Sequence, residues 1–159
     1  MPVTRSASQA PARSLSTEYG KRGQRRLINL PALLFDEKKA KFQIIDVPTL
    51  QAGSYKERYP FFESIVGPKP HECIVTVTDQ GGHLHTFCIL TQPYAREGNK
   101  CLSNLGWKWS GPVLVMKMGL YVDFVGLRTL DRDHGFDALK AFLRTVTAQK
   151  WPLPTHITE

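Results

Sequence analysis

From Leu27 onward the chain alternates between short apolar runs and polar breaks, and the period of the apolar positions marks out the elements. In "LINLPALLFDEKKAKFQIIDV", Pro31 is placed to open a short helix carrying Leu33, Leu34 and Phe35, and Phe42 to Val47 reads as a strand. "SYKERYPFFESIVGP" begins with a capping-box pattern, Ser54 and Glu57. Pro60 then predicts a second short helix with that proline in its first turn and Gly67 at its C-terminal end. "VTVTDQGGHLHTFCIL" reads as a hairpin. A two-residue turn at Gly81 and Gly82 would pair Gln80 with His83, Thr78 with His85, Thr76 with Phe87 and Val75 with Cys88. That register puts Val75, Val77, Leu84 and Cys88 on one buried face and leaves His83 and His85 exposed near the tip.

"TQPYAREGNKCLSNLGWKWSGP" reads as a loop, "VLVMKM" as a buried strand, and "YVDFVGLR" as a further strand turning back after Gly119. Beyond "LDRDHG", Phe136, Leu139, Phe142 or Leu143, and Val146 recur at helical spacing, with Asp131 or Asp133 as N-cap and Pro152 and Pro154 beyond the end. The expected fold is therefore α+β. An antiparallel sheet of about five strands carries a C-terminal helix on one face, with short helices near the N-terminus.

Charge divides the chain differently. The net charge is +7, but residues 1–26 hold six of the cations and one acid, so the folded part, residues 27–159, is left near +2. Residues 1–26 are rich in Ser, Ala, Pro and Arg and poor in large aliphatics, and are expected to form a disordered basic tail. No apolar run is long enough for a membrane-spanning helix, and the N-terminus lacks a secretory apolar core, so an intracellular protein of the nucleus or cytoplasm is expected, a mitochondrial one less so. The three cysteines, Cys73, Cys88 and Cys101, are odd in number and unpaired in spacing, which argues against a disulfide framework or a zinc ribbon.

Candidate chemistry is sparse. His83 and His85 share a strand face but lack a third ligand that the sequence can place, so no metal and no cofactor is expected. Cys101, beside Lys100, has the more electropositive and exposed setting of the thiols. Asp131, Asp133, His134 and Asp137 gather where helix capping already favours acids. No phosphate-binding glycine loop and no serine-hydrolase elbow occurs. The best partner surfaces are the basic cluster Lys21, Arg22, Arg25 and Arg26, suited to nucleic acid or an acidic protein, and Trp107, Lys108 and Trp109, where paired aromatics beside a cation can stack bases or anchor a protein. The expected function is a non-enzymatic binding module with no membrane contact. The alternatives are a small enzyme sited at the hairpin tip or at the start of the last helix, using His83, His85, Asp131, Asp133 or His134, and a structural subunit of an assembly.

Overall fold

The computed structural model describes residues 25–53, 56–149 and 152–159. Lys21 and Arg22 lie outside the described residues, as does nearly all of the expected tail. The elements in chain order are β1 (Arg26–Phe35), β2 (Gln43–Gln51), β3 (Arg58–Pro60), α1 (Glu63–Val66), β4 (His71–Thr78), β5 (Leu84–Thr91), α2 (Lys100–Asn104), β6 (Val113–Met118), α3 (Arg132–Ala148) and β7 (His156–Thr158). A 3-10 turn, Thr129–Asp131, leads into α3.

The expected five-stranded antiparallel sheet with helices near the N-terminus is wrong. The seven strands form one mixed sheet in the order β3-β2-β1-β6-β5-β4-β7, curled into a half-barrel, with α3 on one face. Only the β4–β7 pair is parallel. The segment expected as a helix opened by Pro31 is β1, paired with β2 from Arg26 to Leu34 but with β6 only over Leu33 to Phe35. Pro31 is tolerated because its carbonyl accepts from the Leu127 amide at 2.9 Å on the β6 side. Its nitrogen points the same way, past the end of the β6 ladder, where no N–H is required. Tyr121 to Arg128, expected as another strand, instead makes a turn with a single bridge, Lys117 to Val125.

Curling explains why consecutive residues are buried. On the α3 face, Leu33, Phe35, Val75, Val77, Phe87, Ile89, Val113 and Val115 pack under Leu139, Phe142, Leu143 and Val146. On the opposite face Leu30, Ala32, Leu34, Val47, Cys88, Leu90, Leu114 and Met116 close against one another and against Val66 of α1. A sheet buried on both sides needs unbroken apolar runs, which is what "FCIL" and "VLVM" supply. Each fully buried Phe, Leu or Val contributes about 2 kcal/mol of burial free energy.

The hairpin register is shifted by one residue from expectation: Val75 pairs with Phe87, Val77 with His85 and Thr78 with Leu84. The loop has three residues, Gln80 to Gly82, closed by the Asp79 amide donating to the His83 carbonyl at 2.9 Å. Only Gly82 takes a positive φ, +84°, as such a loop requires. Asp79 selects it, because its Oδ1 accepts from the amides of Gly81 at 2.8 Å and His83 at 2.9 Å. The slip sends alternate side chains to the other face. Val75 and Val77 stay buried under α3, Cys88 moves to the opposite core, Leu84 becomes exposed, and His85 turns in under the start of α3.

Candidate functional site

The slip brings the two sites of the enzyme alternative into one cluster. His85 Nε2 lies 2.9 Å from Asp79 Oδ2, and the His85 ring stacks on that of His134 with centroids 4.0 Å apart and planes 12° from parallel. Lys117 Nζ stands 3.5 Å from His85 Nδ1 and 2.8 Å from Asp131 Oδ1, while Asp131 Oδ2 accepts from the Arg128 amide and from Arg128 Nε. The hairpin, β6 and the first turn of α3 thus share a network in which Lys117 and Asp131 are both largely buried. His83, the other half of the expected histidine pair, points to solvent and is 79% exposed.

Asp131 sits at the N-cap position of α3 but does not cap it with its side chain. Its carboxylate caps the preceding 3-10 turn and neutralises Lys117. Burial pushes the Asp131 carboxyl up, yet the bonds from Lys117 and Arg128 outweigh it and bring the group down to about 2 from 3.8. The His85 bond first, and then the hairpin amides, hold Asp79 well below the usual carboxylate range. A depressed carboxylate contributes stability that is present above its unfolded value and lost as pH falls through the folded one. The domain should therefore lose about 2 kcal/mol between roughly pH 4 and pH 2 through Asp131 alone. An Asp131→Asn variant, less stable at neutral pH, should show a flatter acid limb in urea melts taken across that range.

The thiols offer no nucleophile. Cys73, Cys88 and Cys101 are all free and buried. Burial pushes Cys73 up to about 11 and raises Cys88 further. Cys101, read from its neighbours as the most exposed of the thiols, is 1% exposed and raised by burial and by Asp36, because α2 turns it inward against the sheet.

The tryptophan segment forms a second candidate. Residues 97–111 make a closed loop. The Gly111 amide donates to the Glu97 carbonyl at 2.8 Å and the Asn99 amide to the Trp109 carbonyl at 2.8 Å. Asn99, 1% exposed, ties the loop down. Its Oδ1 accepts from the Leu102 amide at the start of α2, and its Nδ2 donates to the carbonyls of Phe35 and Gly111. Trp107 and Trp109 are half-buried against the α3-side core, with Trp109 edge-on to Phe142 at 5.6 Å, and Lys108 is exposed. Together with Asn99, Lys100, Ser103 and Lys108 they line an open recess of about 620 Å3. The buried Trp109 Nε1 has no acceptor among the described residues. Of the basic cluster, Arg25 and Arg26 are described and exposed, Arg26 opening β1 opposite Gln51.

Sequence reasoning named His85, Asp131 and His134 without joining them, and missed Asp79, Lys117 and Asn99. Asp79 carried a signal, since an Asp two residues before a glycine pair can close the loop with its side chain. Lys117 carried none: one lysine in "VLVMKM" looks like the solvated end of a strand. No described helix is long and apolar enough to cross a membrane. The chain matches no protein-family model, and no curated protein or solved structure shows significant similarity to it, so its functional reading rests on the geometry above.

Proposed function

We propose that the chain is a non-enzymatic binding module for single-stranded nucleic acid. In this reading the basic N-terminal arm supplies the attraction and the Trp107–Lys108–Trp109 recess supplies a stacking surface. The observation that carries it is the recess itself, which joins two half-buried tryptophans to Lys100 and Lys108 at its rim. Aromatic faces accept any base, and adjacent cations meet the backbone. The recess lining itself carries two cations, Lys100 and Lys108. Long-range attraction then falls to residues 1–26, which hold five of the seven net positive charges.

The enzyme reading is favoured by one observation, the convergence of Asp79, His85 and His134. Against it, His85 Nε2 is held by Asp79 and its Nδ1 faces Lys117, so in this arrangement His85 is turned to partners of its own.

An arm that engages four or five phosphates should give a slope of log affinity against log salt of about −3 on a single strand and about −4 on duplex DNA. Deleting residues 1–24, which stops short of β1, should flatten that slope and leave the melting temperature unchanged. An acidic protein partner would show a salt slope without quenching tryptophan fluorescence, and so is distinguished in the same titration. Full affinity and slope in the truncated chain would defeat the arm's role.

A further inference from the structure

We propose that Asp79, His85 and His134, which the hairpin tip and the first turn of α3 bring together, bind one divalent transition-metal ion of the zinc class. The ligand atoms of the three side chains lie within 4.8 Å of one another, and all three residues are half-buried. Sequence reasoning expected no metal because it paired His85 with His83 and found no third donor. The one-residue slip replaces His83 with His134 and adds Asp79, so that objection falls.

The distances are close to what such an ion needs. Zinc takes imidazole nitrogen and carboxylate oxygen at about 2.0–2.2 Å in a tetrahedron, so two of its ligands stand roughly 3.4 Å apart. The 2.9 Å between His85 Nε2 and Asp79 Oδ2 is a hydrogen-bond distance that must open by about 0.5 Å to admit the ion. No hydrogen bond engages the His134 ring among the described residues, where it stacks on the His85 ring. His134 must swing out of the stack to turn a nitrogen toward the same point, since parallel rings aim their lone pairs along parallel planes. Two imidazoles and one carboxylate form a donor set of borderline softness, which favours zinc, cobalt or nickel over magnesium or calcium. Three protein ligands leave further positions for water.

One group opposes the ion. Lys117 Nζ faces His85 Nδ1, and a metal on Nε2 requires the ring proton to move to Nδ1. At 3.5 Å that contact is long, whereas the bond from Lys117 to Asp131 is 2.8 Å, so Lys117 keeps its carboxylate partner while the weaker contact is given up. Binding is thereby weaker than at a site whose outer shell is a carboxylate.

The test uses the full chain, purified without a histidine tag and titrated with zinc chloride by calorimetry and with cobalt by absorption. One equivalent of zinc should bind. His134→Ala and Asp79→Asn should each weaken binding by about 100-fold or more, and His83→Ala should leave it within about twofold. Ring-nitrogen NMR of the unaltered protein gives a second readout independent of any variant. Zinc should shift the His85 and His134 resonances and leave His71, His83 and His156 in place. No stoichiometric binding, wild-type binding in His134→Ala, loss of binding in His83→Ala, or shifts confined to the other histidines would overturn the assignment.

Discussion

Replacing Asp131 by leucine should destabilise the domain by about 3–5 kcal/mol and lower its melting temperature by something of order 10 °C. The cause is Lys117, whose side chain is 13% exposed and whose ammonium is held at 2.8 Å by a carboxylate that is itself 3% exposed. Without Asp131 that cation keeps only the weak contact to His85 and its place over the Phe87 ring, 5.3 Å from the centroid. Removing one member of a buried ion pair costs more than the pair is worth, because the remaining charge is left desolvated. The double variant Asp131→Leu with Lys117→Met should therefore recover most of the loss. Recovery should stop short by about 1 kcal/mol, since Asp131 also accepts the Arg128 amide and leucine cannot replace that cap. Urea denaturation of both single variants and the double one measures the coupling. Additive losses would show that the two groups stabilise the fold independently.

Asn99→Ala should cost a similar amount, about 3–5 kcal/mol, for a different reason. The substitution leaves the Leu102 amide and the carbonyls of Phe35 and Gly111 without their side-chain partner at a position that is itself 1% exposed. Each buried polar group stripped of its bond costs roughly 1–3 kcal/mol. Gly111 is bound to remain glycine here: its φ is +85°, and a Cβ there would come within 2.5 Å of the Ala95 Cβ. The loop that carries Trp107 and Trp109 should therefore loosen together with α2. Thermal melts should show the loss, and amide exchange should rise first at Leu102 and Gly111. A melting temperature within a degree or two of the unaltered protein would mean that the loop is held by its backbone bonds alone.

What the sequence disclosed follows from how each element is buried. α3 packs one face on the sheet, so Leu139, Phe142 and Val146 keep a helical period that one sequence suffices to reveal. β1 is buried on both faces over Leu33, Leu34 and Phe35, and a run of three apolar residues beside Pro31 looks the same as a short helix. β7 has almost no strand signal in "HIT". It exists because the Ile74 amide donates to the Thr155 carbonyl and the Glu159 amide to the Thr76 carbonyl, a choice made by tertiary contact. At the candidate site His85 and His134 were visible as residue types, but their meeting depended on hairpin register. A three-residue loop in place of a two-residue one turns His85 from the wet face to the underside of α3. Asn99 was hidden in a stretch read as loop, where its three buried bonds depend on backbone groups distant in sequence.

The claim that the tryptophan recess receives a single strand is tested most directly by titrating isotope-labelled protein with a short oligouridylate at low salt and following amide and indole resonances. The account predicts that shifts gather on Asn99, Lys100, Ser103, Gly106, Trp107 and Lys108, that the Trp107 and Trp109 indole signals move with them, and that raising salt reverses all of these together. Shifts gathering instead around the exposed Leu84, Leu120 and Tyr121, or saturation with the recess signals unmoved, would contradict it.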